Sequence, residues 1–155
     1  MDFDEGRHPR DDTGRFTASA GAIKRLAVPH AERMTRMMAA WNRQGGPHEY
    51  KGARTFFGGK VYAELQPRGG KMVLNNIATR PDARGHGLAA GVLKRLTKLA
   101  DRHGVTMKLT TLPFGEAKDA GLKAKALRGF YGRHGFRTTW TSSDRDTFEM
   151  ERKPK

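Results

Sequence analysis

The sequence predicts an α/β (α+β) fold, a mixed and mostly antiparallel sheet flanked by helices. Three observations predict it. Strand-like segments with apolar residues on one side follow one another across residues 50–79, separated by Gly-Gly turns. Two stretches with apolar residues at helical spacing, near 88–103 and 119–134, then alternate with further strand-like segments. The length of 155 residues suits one domain with one hydrophobic core, and there are no internal repeats.

Taken in order, residues 1–20 hold only Phe3 and Phe16 as large apolar side chains and read as a flexible tail. A single domain is expected over 21–155. Ala22–Val28 is a candidate first strand. Pro29 suits the first turn of a helix whose Met34, Met37, Met38 and Trp41 fall at helical spacing. Gln44–Pro47 ends that helix. Tyr50–Phe57, Lys60–Gln66 and Lys71–Thr79 are three strands joined by Gly58-Gly59 and by a turn over Pro67–Gly70, forming an antiparallel meander. A helix over Leu88–His103 carries Ala89, Val92, Leu93, Leu96, Leu99 and Ala100 on one face, and Gly104 stops it. Val105–Leu112 is a strand, broken by Pro113–Gly115. A helix over Asp119–His134 has Ala120, Ala124, Leu127 and Tyr131 on one stripe and is closed by Gly135. Phe136–Trp140 and Thr147–Arg152 form a final hairpin.

Apolar residues make up 36% of the chain, and part of that deficit lies at its two ends. There is no cysteine, which excludes disulfides, a thiol nucleophile and thiolate metal sites. No pair of histidines has metal-ligand spacing, so no metal is expected. No apolar run reaches a membrane span, and the N-terminus lacks the apolar core of a secretory signal, so a cytoplasmic protein without membrane contact is expected. The formal charge of +14 suits a polyanionic or phosphate-rich partner, or serves only solubility.

The segment Arg84-Gly85-His86-Gly87-Leu88-Ala89 lies between a strand and a helix. Free amides at a helix N-terminus, with the helix dipole, form an anion site. Glycines allow close backbone approach and positive φ. These residues predict a phosphate or pyrophosphate held by backbone N–H groups, or else a strand-to-helix turn that uses glycine for geometry. The GxxxxGK[ST] phosphate loop is absent. The GxGxxG dinucleotide fingerprint fits poorly, because the loop follows an antiparallel meander and not an early parallel βαβ unit.

This loop resembles the Q/R-x-x-G-x-G/A motif of the GCN5-related N-acetyltransferases, the GNAT family. Ile77–Pro81 is similar to that family's fourth strand entering its loop. Phe130-Tyr131-Gly132-Arg133-His134-Gly135-Phe136 resembles its second signature, an aromatic-Tyr-x-Lys/Arg-x-Gly-Phe stretch ending the last helix. The resemblance is good over residues 70–152 and architectural over 21–69. It implies a sheet of six or seven strands, splayed between strands four and five. It implies acetyl-CoA as cosubstrate, its pyrophosphate held at Arg84, Gly85, His86, Gly87, Leu88, Ala89 and Ala90. It implies main-chain contacts to the pantetheine arm from Ile77, Ala78 and Thr79, and Tyr131 as general acid.

The chemistry agrees with that implication. An amine can attack a thioester directly, so no enzyme nucleophile is needed; a base or water must take its proton. A tyrosine, with a pKa of roughly 10, stays protonated at neutral pH and can quench the departing thiolate. Glu64 is the carboxylate candidate for the base, with a solvated strand charge as its alternative; Asn75 and Asn76 could position a water. His86 suits a side contact to the coenzyme. Two departures from the family pattern stand out. Ala124 occupies a position that often carries Asn, which removes one expected pantetheine contact, and residues 113–121 are longer than the usual link.

The acceptor is not legible. A protein amine, a small amine, or an amine borne by RNA or DNA, such as aminoacyl-tRNA, are the candidates. Lys118, Lys123, Lys125, Arg128, Arg133 and Arg137, with only Asp119 against them, can in part serve the coenzyme's phosphates, and the positive surplus elsewhere invites nucleic-acid contact. A cationic polyamine is disfavoured unless Glu64 and the N-terminal acids gather near the cleft. Alternatives of another class are a non-catalytic coenzyme- or nucleic-acid-binding module and a phage accessory protein, the last because RDDTGRFTAS resembles N-terminal segments of bacteriophage proteins. A homodimer is compatible with the resemblance.

Overall fold

The computed structural model describes residues 28–111 and 120–155. The expected tail, the candidate strand Ala22–Val28 and the break at Pro113–Gly115 all lie outside them, except for Val28 itself. The elements run α1 (His30–Asn42), β1 (Gly46–Pro47), β2 (Ala53–Phe56), β3 (Val61–Arg68) and β4 (Lys71–Thr79). A 3₁₀ turn (Pro81–Ala83) follows, then α2 (Leu88–His103), β5 (Met107–Thr111), α3 (Ala120–Arg133), β6 (Arg137–Thr141) and β7 (Phe148–Arg152). The strands form one sheet in the order β1-β2-β3-β4-β5-β7-β6. Every neighbouring pair is antiparallel except β4 and β5.

Burial follows the predicted alternation. Val61, Ala63 and Leu65 of β3 face the core with Met72 and Leu74 of β4, and β7 buries Phe148, Met150 and Arg152. Met34, Met37 and Trp41 of α1 and the apolar stripe of α2 cover this face. Trp41 is wholly buried and donates its Nε1–H to the Gly52 carbonyl at 2.9 Å, so its one polar atom is satisfied. The α2 helix ends as its sequence dictates. Gly104 takes φ +63°, and the Val105 N–H bonds back to the Ala100 carbonyl at 3.0 Å, a Schellman closure.

The crossovers β4-α2-β5 and β5-α3-β6 advance in the same direction, so right-handed connections place both helices on one side. Two contacts agree with this. The Arg128 guanidinium of α3 lies 4.8 Å above the Phe148 ring. Arg152, on the same face, bonds Asp101 of α2 and the His134 carbonyl just beyond α3. The opposite face carries Tyr62, Glu64, Gln66, Val73, Asn76, Lys108, Thr110, Glu149 and Glu151, of which none is buried.

Several expected boundaries move. The strand expected at Tyr50–Phe57 narrows to Ala53–Phe56, because Gly52 at φ +82° turns the chain against the Leu65 carbonyl. Pro67 and Arg68 are not turn residues: they extend β3 and pair with Met72 and Lys71, leaving Gly69-Gly70 as a two-residue turn with both φ positive. α1 ends at Asn42, just ahead of the expected Gln44–Pro47, and Gly46-Pro47 forms a short strand against β2.

Candidate active site

The parallel ladder between β4 and β5 has only three pairs, Met72–Met107, Val73–Lys108 and Leu74–Leu109. It stops at a bulge. Glu64 of β3 pairs with Asn76, but the next residue, Leu65, pairs with Leu74, which leaves Asn75 as an extra residue in β4. The bulged strand bends, so β4 beyond Leu74 separates from β5, which continues to Thr111 paired with β7 alone. A cavity of about 140 Å³ occupies the gap, lined by Leu74, Asn75, Asn76, Ile77, Leu109, Thr110, Thr111, Leu127 and Tyr131. The splay implied by the resemblance therefore has a local cause, the insertion of one residue.

Tyr131 enters this gap from the last turns of α3. The helix closes as its sequence requires: Gly135 adopts φ +89°, and the Phe136 N–H returns to the Tyr131 carbonyl at 3.2 Å. That closure folds the Phe136 ring back to 5.9 Å from the Tyr131 ring, with Phe130 at 5.1 Å, both edge-on. Tyr131 is 8% exposed, and burial pushes its phenol up to about 12. Its hydroxyl has no hydrogen-bond partner among the described residues, so it remains free to donate to a ligand in the cavity.

At the other end of the gap, β4 runs into the glycine loop. Gly85 and Gly87 hold φ +84° and +68°, and open space surrounds the position where a Cβ would stand on each. Gly87 is the N-cap of α2, whose first bond is from the Gly91 N–H to the Gly87 carbonyl at 3.1 Å. The N–H groups of Leu88, Ala89 and Ala90 precede that bond and have no backbone partner, which is the general condition of a helix N-terminus. Gly85, His86 and Gly87 are exposed, while Leu88, Ala89 and Ala90 are half-buried. Arg84 donates from Nε to the Thr79 carbonyl at 3.3 Å, tying the loop to the strand end. Ile77 and Thr79 are half-buried and Ala78 is exposed. From Thr79 to Asn75 the strand covers about 13 Å at roughly 3.3 Å per residue. A ligand joining loop to cavity therefore needs a long extended arm.

Glu64 does not line the cavity. Its carboxylate accepts hydrogen bonds from the Tyr62 hydroxyl (2.9 Å), the Gln66 amide (2.9 Å) and the Asn75 amide (3.1 Å). Asn75 thus links it to the gap. Ala124 is 4% exposed and packs in the core, so this position contributes no polar group to the cleft. Among the described residues, no three His, Asp or Glu side chains gather as a metal site, and no helix is long and apolar enough to cross a membrane.

The bulge at Asn75 and the cluster around Glu64 carry more of the site than their sequence suggested. One signal could have found the bulge: in Lys71–Thr79 the apolar period of two slips between Leu74 and Ile77, which are three residues apart.

A mixed sheet split beside a glycine loop, with a buried tyrosine in the split, is the architecture of an acyltransferase-type domain. The family model described as "Acetyltransferase (GNAT) domain" matches residues 51–138, more than half the chain and both motifs. The chain therefore belongs to the GNAT acetyltransferase domain family. Comparison with curated proteins finds no match. Among solved structures, the PaiA N-acetyltransferase of Thermoplasma acidophilum in complex with coenzyme A is 20% identical, with a TM-score of 0.44 over 60% of this chain and 52% of that one. An acyl-CoA N-acyltransferase from Pseudomonas aeruginosa is 22% identical, with a TM-score of 0.45 over 59% of each chain. The match thus spans little more than half the length of these two relatives. The ribosomal-protein-S18-alanine N-acetyltransferase of Escherichia coli is 20% identical, with a TM-score of 0.48 over 77% of this chain and 88% of that one.

Proposed function

We propose that this protein transfers an acetyl group from acetyl-CoA to a primary amine by direct attack, with Tyr131 as general acid. The observation that carries the reading is the gap opened at Asn75, with an unpartnered buried phenol in it and an open glycine loop at its far end. In this reading the amides of Gly85–Ala90 hold the pyrophosphate, with Arg84 and His86 beside it. The pantetheine arm lies along Ile77–Thr79. The thioester carbonyl sits near Asn75, where β4 lacks a ladder partner on β5 and a main-chain N–H can stabilise the oxyanion. The amine nitrogen attacks the carbonyl carbon, the C–S bond breaks, and the Tyr131 proton goes to the sulfur. The ammonium proton leaves through water or a base; Glu64 can serve only through the water or amine that Asn75 positions. Dependence on acetyl-CoA would place the protein in the cytoplasm.

Calorimetry with acetyl-CoA, together with thiol release on an amine panel, tests this. Binding with amine-dependent thiol release is expected. Gly87→Glu should abolish coenzyme binding, because it sets a carboxylate at the pyrophosphate and forces a side chain to φ +68°. Unchanged affinity in a folded Gly87→Glu protein would refute the loop assignment.

A further inference from the structure

We propose, resting on the transferase reading, that the acceptor is a cationic alkylamine which reaches the gap across the sheet face that carries Tyr62 and Glu64. The phosphate-bearing end of the coenzyme belongs on the other side, at α2. There Lys94, Arg95 and Lys98 of α2 and Lys123, Lys125, Arg128 and Arg133 of α3 are exposed. The opposite face mixes signs: Arg68 of β3 and Arg137 of β6 stand on it with Glu64, Glu149 and Glu151. Its lysines on β4 and β5 are already paired, Lys71 with Glu151 and Lys108 with Glu149 at 3.1 Å. Among the described residues Glu64 has no cationic partner; its three hydrogen bonds there all come from neutral donors. A carboxylate offers about four lone-pair positions, so one remains, on Oε2, for an ammonium N–H.

Aromatic rings extend the site outward. The His48 ring lies 4.9 Å from Tyr62 and 5.2 Å from Tyr50, and Tyr50 is 60% exposed. Electron-rich ring faces beside an unpaired carboxylate suit an alkylammonium chain. The Tyr62 phenol is pushed up to about 12 by burial, by its bond to Glu64 and by the charges of Glu64 and Tyr50, with no cation offsetting them. Distance settles the conflict with the charge of +14. Salt screens charges beyond roughly 10 Å at 0.1 M, so a carboxylate in direct contact with the ammonium outweighs cations farther off. A nucleic-acid-borne amine would bring its phosphates against the Glu64 carboxylate.

The test reads binding separately from turnover. Full-length protein, free and loaded with coenzyme A, is titrated with spermidine, with a lysine-containing peptide and with aminoacyl-tRNA. Spermidine or the peptide should bind, and the stronger of the two identifies the source of the amine. That affinity should fall at least tenfold in high salt, and Glu64→Gln should weaken it at least tenfold, raising KM more than it lowers kcat. Tyr50→Ala, a surface change that leaves the fold intact, should weaken it several-fold. Tighter binding of aminoacyl-tRNA than of either amine, no binding of either amine, or unchanged affinity in Glu64→Gln would overturn the proposal. Failure of acetyl-CoA itself to bind would instead overturn the transferase reading, while amine binding to the coenzyme-free protein still decides the acceptor class.

Discussion

Tyr131 owes its proposed chemistry to two neighbours and one missing bond. Phe130 and Phe136 bury its ring, and no protein acceptor takes its hydroxyl among the described residues. A phenol held near 12 keeps its proton across the neutral and mildly alkaline range. Turnover should therefore rise with pH as the acceptor amine loses its proton, and should show no decline from Tyr131 below about pH 10. Tyr131→Phe should lower kcat about 100-fold, in the range of a lost general acid, while acetyl-CoA affinity is unchanged. Equal turnover in the variant would remove the acid role. The same shift has a sign for stability. The folded state holds the phenolic proton more tightly than the unfolded chain does, so the stabilisation is complete below pH 10 and is lost as pH rises from 10 towards 12. An alkaline melting series would show Tm falling in that window, and less steeply in Tyr131→Phe.

At the scale of elements, the strand β4 decides whether a site exists. Without Asn75 its alternation would be regular, Leu74 would be followed two places on by Ile77, and the parallel ladder to β5 could continue past Leu109. Deleting Asn75 should close the gap and abolish acetyl-CoA binding while circular dichroism stays native and Tm is maintained or raised. Retained binding would show that the bulge is not what opens the cleft. This element also shows how much could be read beforehand. The bounds of β4 and α2 were legible to the residue, because Gly70 and Pro81 flank β4 and Gly87 and Gly104 bracket α2. The β3–β4 turn was misplaced by two residues because Pro67 suggests a break, yet Pro67 lies near the end of β3, where the loss of its N–H is tolerated. The loop and Tyr131 were legible as motifs, since glycine spacing and an aromatic-Gly-Phe ending report backbone geometry directly. The His48–Tyr62–Glu64–Asn75 cluster was not, because its contacts join residues across β3, β4 and the chain before β2. Cross-strand register, which no local pattern specifies, brings them together.

At the scale of the whole molecule, one partly buried ion pair ties the two helices at the candidate site to the rest of the fold. Arg152 of β7 is 5% exposed and grips Asp101 of α2 with two bonds, 2.7 and 2.9 Å, while its Nε bonds the His134 carbonyl at 3.0 Å. The Lys155 N–H also reaches Asp101, at 2.8 Å. Helix α2 begins at the glycine loop and α3 carries Tyr131 in its last turn, so this pair fixes the two helices that hold opposite ends of the candidate cleft. Burial alone would raise the Asp101 carboxyl, but the hydrogen bonds from Arg152 and Lys155 and the charge of Arg152 outweigh it and hold it below its ordinary 3.8. The group's folded value is depressed, so its contribution to stability is present above 3.8 and disappears as pH falls through the folded value. Removing one partner leaves a guanidinium buried without its counter-charge, which costs about 3–5 kcal/mol, far more than a surface pair would. Asp101→Ala should then lower Tm by about 6–20 °C for a chain of this size. The loss should shrink as melts are run at progressively more acid pH below 3.8, where the wild-type carboxyl is neutralised in turn. Arg152→Met removes the charge together with its partner's burden and should cost less than Asp101→Ala. An equal or greater loss would mean that the polar contacts of Arg152, to the His134 carbonyl included, matter more than the charge left unpaired.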